Sequence, residues 1–127
     1  MIHRFKAKQG LVVVRAELTG PTGKASLRLA LDTGATNTLI NVGMLVAIGC
    51  DPATSRERVE VTTGSGVEFA PRVGLKRLFV LGSERRSFRV LAHTLPPSAG
   101  VDGLLGLDFF RDRKLGIDFR KGQITVA

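Results

Sequence analysis

At 127 residues, with 43% hydrophobic and 24% charged residues, the chain has ordinary globular composition and the length of one domain, which excludes a disordered, fibrous or two-core protein. One Cys and two His leave no intrachain disulfide and no spaced set of zinc ligands, so neither a metal nor another cofactor is expected. The net charge of +8 favours acidic partners, but the cations are spread along the chain, and with no Trp, no Tyr and 7 Phe mostly in apolar surroundings the stacking platform of a nucleic-acid binder is missing. Nucleic acid is therefore disfavoured as a partner.

No apolar run reaches the roughly 18 to 20 residues that span a bilayer, and Met1 to Lys6 lacks the apolar core of a signal peptide. The expectation is a soluble cytoplasmic protein, unless the chain is a piece of a longer, targeted one. Residues Leu11 to Leu18 are rich in β-branched types and end at the turn signal Thr19-Gly20-Pro21-Thr22-Gly23. From Lys24, the apolar positions 25, 27, 29 and 31 alternate with Ser26, Arg28 and Ala30, the period of a half-buried strand. The two segments predict a hairpin whose second strand delivers Asp32 at its end. Thr33-Gly34-Ala35 turns the chain before the short apolar segment 38–42.

Residues 43–51 are apolar but interrupted by Gly49 and followed by Pro52, predicting a short helical turn or loop. Val59 to Thr63 and Val67 to Ala70 alternate on either side of Gly64-Ser65-Gly66, a second hairpin with a glycine-rich tip. Val73 to Leu81 and Ser87 to His93 predict a third, turning at residues 82–86. Beyond the loop 94–100, the apolar positions of 101–110 fit a buried strand passing into one or two helical turns, with Asp102 or Asp108 as a helix cap. Leu115 to Phe119 and Gln123 to Val126 flank Arg120-Lys121-Gly122 as a closing hairpin. The sum is an all-β, barrel-like domain covering residues 1–127, built of short strands and hairpins with one short C-terminal helix.

Asp32 is the residue this arrangement has to explain. A carboxylate at the end of an apolar strand is costly unless something uses it. Hydrolysis of a peptide bond without metal or nucleophilic side chain needs a water held between two carboxyls. Two such groups close together cannot both ionise cheaply, so they share a proton, one taking a proton from water while the other polarises the carbonyl. A hydroxyl at Thr33 and a close backbone approach at Gly34 can supply hydrogen bonds that hold the carboxylate.

Asp32-Thr33-Gly34-Ala35, preceded by Leu29-Ala30-Leu31 and followed by Thr36-Asn37-Thr38-Leu39-Ile40, resembles the active-site signature of retropepsin-like aspartic proteases. Leu104-Leu105-Gly106 resembles the second signature of that family, and Gly64-Ser65-Gly66 falls between them where the family carries its flap. The resemblance covers most of the chain from about Leu11 to Val126. It implies an acid-protease-like closed β-barrel in which Asp32, Thr33 and Gly34 form the catalytic group. Ala35 and Thr36, with Gly64, Ser65 and Gly66 of the flap, would bind an extended peptide or protein substrate. Only one Asp-Thr-Gly is present, whereas the two-lobed pepsins carry both copies in one chain, so Asp32 is expected to meet its mate across a homodimer axis. Thr33 would bond across that axis.

Retroviral members have an Asp where this chain has Thr36 and an Arg where it has Leu107. Losing both together resembles the cellular and bacterial branch. Ala35, in place of the hydroxyl residue of pepsins, implies a less acidic working pH than theirs. The rival with the same fold is a catalytically silent dimer that binds peptides or holds a larger protein together. By themselves His3 and His93 read as surface or structural histidines, Cys50 as a reduced thiol near a turn, and Arg85-Arg86 as a solvated hairpin tip.

Overall fold

The structure, a computed structural model, describes residues 2–63 and 66–127. The β-branched run near the N-terminus forms strand β2 (Val13–Thr19), which pairs antiparallel with β3 (Lys24–Leu31) from Val13↔Ala30 to Thr19↔Lys24. The alternation works as expected: Val14, Ala16, Leu18, Leu27 and Leu29 are buried, while Arg15, Ser26 and Arg28 face out. Before them, Ile2–Arg4 forms β1, a strand the sequence pattern did not reveal.

After the turn at Asp32 come β4 (Leu39–Ile40) and a six-residue helix, α1 (Val42–Ala47), in the segment expected to hold a helical turn or loop. Gly49 ends that segment at φ +87, a conformation glycine adopts freely. Strand β5 (Arg58–Thr63) pairs with the first part of the 15-residue β6 (Gly66–Val80), whose second part pairs with β7 (Ser83–Ala92). The flap tip expected at Gly64 and Ser65 lies outside the described residues.

The β6–β7 turn is tighter than the sequence suggested. Leu81 and Gly82 both take positive φ, +53 and +69, so Val80 already pairs with Ser83. A two-residue turn of this hand matches the twist of its strands. Residues 83–86 are therefore strand rather than loop, and Arg85 is no solvated tip. Its guanidinium donates to the carbonyls of Phe109 (3.1 and 2.9 Å) and Arg111, and only Arg86 stays exposed, beside Glu84.

Strand β8 (Gly103–Leu105) lies between β3, to which it runs parallel, and β4, to which it runs antiparallel. The order β2-β3-β8-β4-β7-β6 closes on itself through a β2–β6 pairing, Ala16↔Val80 to Thr19↔Arg77, giving a barrel of six strands. The β5–β6 hairpin projects from this barrel. The short C-terminal helix takes the form of a single 3-10 turn, Leu107–Phe110. Strands β9 (Leu115–Asp118) and β10 (Gln123–Val126) then form the closing hairpin, and β1 joins its free side in the order β1-β10-β9.

The core is filled by fully buried Leu18, Leu29, Leu75, Leu78 and Leu105 from the barrel, Leu45 and Ile48 from around α1, and Ile124 from β10. Phe109 is fully buried too, edge-to-face with Phe88 and Phe110. Each such side chain contributes about 1.5 to 3 kcal/mol of transfer free energy, so the 3-10 turn and the terminal sheet are tied to the barrel by packing rather than by propensity. No helix among the described residues is long and apolar enough to cross a membrane.

Candidate active site

Asp32 owes its position to two strands. Leu31 pairs with Leu105 at the end of the parallel β3–β8 ladder, and the Asp32 N–H donates to the Leu105 carbonyl (3.0 Å). The chain then folds back on the Asp32 carboxylate itself: the Gly34 N–H donates to Asp32 Oδ1 (2.9 Å), and the Ala35 N–H donates to the Asp32 carbonyl (3.1 Å). This is the local side-chain turn that Asp favours. A Cβ on Gly34 would stand 3.1 Å from that carboxylate oxygen, so the tight approach expected at Gly34 is present. Thr33 and Thr36 are exposed, whereas Asp32 and Ala35 are half-buried. The Thr33 side chain makes no hydrogen bond among the described residues.

What holds this loop is a network the sequence reading missed. Thr38 is completely buried, its hydroxyl donates to Asp108 Oδ1 (2.7 Å), and its N–H donates to the same carboxylate (2.9 and 3.0 Å). The Gly106 N–H in turn donates to the Thr38 hydroxyl (3.1 Å), so every polar atom of that buried side chain is used. Two backbone bonds complete the clamp, from the Leu107 N–H to the Ala35 carbonyl (2.9 Å) and from the Asp108 N–H to the Thr36 carbonyl (3.2 Å). The segment 104–108 thus braces residues 32–38 from behind.

Asp108 consequently does not cap a helix, the role expected for it or for Asp102. The 3-10 turn begins at Gly106 with no side-chain cap, and Asp102 Oδ2 accepts the Arg28 N–H (2.9 Å) instead. At this site two glycines are required by contact alone. A Cβ on Gly106 would lie 2.7 Å from the Asn37 carbonyl carbon and 2.8 Å from the Ala35 oxygen. On Gly103 it would lie 2.1 Å from the Leu39 oxygen. The tripeptide Leu104-Leu105-Gly106 was legible as a motif; Gly103, Thr38 and Asp108 carried no local signal, because their partners lie far away in sequence.

In front of the loop is a cleft of about 390 Å³. Asp32, Ala35 and Thr36 line it, with Gly34 and Asn37 beside them. Leu39, Leu91 and Leu104, one from each of three adjacent strands, give it an apolar lining, and Glu60, Val61 and Thr62 of β5 line it too. The β5–β6 hairpin thus contributes to the cleft that Asp32 lines. Gly66 opens β6 at φ +126, a conformation glycine accommodates without strain. No group of three or more His, Cys, Asp or Glu side chains that could hold a metal ion occurs among the described residues.

Comparisons with known proteins agree with this geometry. Residues 20–112 match the model of the family described as gag-polyprotein putative aspartyl protease. Among solved structures, the chain is similar to a retropepsin-like aspartic protease from Rickettsia conorii, with a TM-score of 0.73 and 19% identity over 99% of this chain and 89% of that one. It is also similar to the retroviral protease-like domain of Ddi1 from Leishmania major (TM-score 0.60, 20% identity, 94% of this chain and 90% of that one). The inhibitor-complexed EIAV protease is a third such structure (TM-score 0.59, 14% identity, 83% of this chain and 89% of that one). No match was found among curated proteins. At these identities the structural likeness speaks for the fold. With a family model spanning residues 20–112 and a closed barrel that presents Asp-Thr-Gly at the end of β3, the chain belongs to the gag-polyprotein aspartyl protease family and has a retropepsin-like fold.

Proposed function

We propose that residues 1–127 form one domain that works as an aspartic endopeptidase, active as a homodimer in which Asp32 of each subunit supplies half of a catalytic dyad. The observation that carries this reading is the placement of Asp32: a single half-buried carboxylate, held by the Gly34 N–H, lining a cleft that apolar side chains and residues of the β5–β6 hairpin also line. One carboxylate cannot both accept and donate a proton in the same step, and the sequence holds only one Asp-Thr-Gly.

In this reading the ionised Asp32 takes a proton from water as the water oxygen attacks the scissile carbonyl carbon. The protonated Asp32 of the mate gives its proton to the carbonyl oxygen. As the resulting gem-diol collapses, one of its hydroxyls returns a proton to the mate's carboxylate, the C–N bond breaks, and the departing nitrogen takes the proton first removed from water, which restores the dyad. Thr33, which is exposed, would bond to the loop of the mate. Leu39, Leu91 and Leu104 would receive an apolar side chain, and the β5–β6 hairpin would hold an extended substrate through main-chain bonds, a form of strand addition.

Length-resolved mass spectrometry of products from a diverse peptide library tests this. The chain should generate internal cleavage products, and Asp32→Asn, folded to the same secondary-structure content, should generate none. Cleavage that survives Asp32→Asn contradicts the reading, and a folded dimer that binds peptides equally well with and without Asp32 and cleaves none favours the silent binding domain.

A further inference from the structure

A second concavity, of about 670 Å³, shares no lining residue with the Asp32 cleft. It lies where the chain leaves β1, with Arg4, Phe5, Lys6 and Gln9 on one side and the outward face of the β2–β3 hairpin on the other. That face presents Arg15 and Arg28, which are direct cross-strand partners. Like charges in that relation repel, so the hairpin gains nothing from having both. All four cations are exposed, and no acidic residue lines the groove.

Nor are these cations neutralised nearby. Among the described residues none of the four side-chain charges forms an ion pair within 4.0 Å, and the Arg28 guanidinium donates to the Gly100 carbonyl (3.3 Å) rather than to a carboxylate. Glu17, the neighbouring acid on β2, is engaged by Arg77 and Lys24, and Asp102 meets Arg28 only through its backbone N–H. A concave site lined by one sign of charge concentrates ligands of the other sign.

We propose that this groove is an exosite that captures an acidic, extended peptide segment of the substrate, a role that rests on the peptidase reading above. Two features favour a peptide over a nucleic acid. Phe5, packed edge-to-face with Phe119 at 5.8 Å and against the core, is the single aromatic residue among those lining the groove, so there is no row of rings on which successive bases could stack. The groove also begins at Arg4, the last residue of an outer strand, and a sheet edge offers main-chain groups that an extended peptide can pair with.

Fluorescence anisotropy of a labelled oligoglutamate peptide, in the Asp32→Asn background so that nothing is consumed, tests the groove by binding alone. Arg15→Glu/Arg28→Glu should weaken binding at least about tenfold, and Arg56→Glu/Lys76→Glu, equal in net charge but lining neither concavity, by less than about twofold. If the first pair fails to fold by circular dichroism, Arg15→Gln/Arg28→Gln should still weaken binding about threefold. Absence of binding, or equal loss from both pairs, overturns the proposal. Tighter binding of a single-stranded oligonucleotide of the same charge, lost with Arg15 and Arg28, overturns the choice of peptide. A wild-type chain that cleaves nothing yet binds the peptide here keeps the groove but removes its role as an exosite, so the two readings fail separately.

Discussion

Thr38 shows how much of the site depends on a residue that does no chemistry. Its hydroxyl stands between the Gly106 N–H and the Asp108 carboxylate, with no solvent to replace either bond. Thr38→Val keeps the shape but orphans the Gly106 N–H, and should lower stability by about 1 to 3 kcal/mol in urea unfolding. An unchanged midpoint would mean the clamp is dispensable. Gly106→Ala should cost at least about 1 to 3 kcal/mol by the same measurement, because the new methyl would strike backbone at Ala35 and Asn37, which cannot swing aside as a side-chain tip could. Cys50 is buried, and burial pushes the pKa of its thiol up from the ordinary thiol range. The unfolded chain therefore loses this proton first, and stability should fall as pH rises above about 9. Cys50→Ala should flatten that decline in unfolding curves, and alkylation of native Cys50 should be slow until denaturant is added.

At the residue scale, Asp32 was legible because an ionisable group at the end of an apolar strand stands out locally. Thr38 and Asp108 were not: each looks like an ordinary polar residue until the fold brings positions 38, 106 and 108 together.

Among the elements, the hairpins were legible from their alternation and the glycine-rich tips between them. The β6–β7 turn was misplaced by several residues because Leu81 adopts a left-handed conformation that a leucine does not advertise, leaving Gly82 as the only visible signal. The three residues of β1 become a strand only by pairing with β10 at the other end of the chain, a contact no local pattern encodes. The same misplacement hid Arg85. Its bonds to the Phe109 and Arg111 carbonyls join β7 to the end of the 3-10 turn whose first residues, Leu107 and Asp108, belong to the clamp segment. Arg85→Ala should destabilise the fold by about 1 to 3 kcal/mol. Arg85→Lys should recover only part of this, since a point charge cannot reproduce the planar fork. Arg86→Ala, one residue on and exposed, should stay within about 0.5 kcal/mol, and equal effects at 85 and 86 would contradict the assigned contacts.

For the whole molecule, the closed barrel solves the problem of holding a polar loop rigid on an apolar scaffold. Strand β8 enters between β3 and β4, and the segment that follows it braces the loop from behind. The barrel class followed from many short strands with turn signals between them, and the two motifs supplied their order. The β2–β6 pairing that closes the barrel was invisible, since it joins strands far apart in sequence with no turn between them. The same scale carries the proposed requirement for a second subunit, because one barrel presents one Asp-Thr-Gly.

In the proposed mechanism catalysis and self-association stand or fall together, and one measurement addresses both: the specific activity toward a cleaved library peptide as the protein is diluted, with the monomer–dimer distribution followed by analytical ultracentrifugation. Activity per chain should fall in step with the dimer fraction and vanish for Asp32→Asn at every concentration. Constant activity per chain at dilutions where only monomer sediments would contradict the paired-carboxylate mechanism.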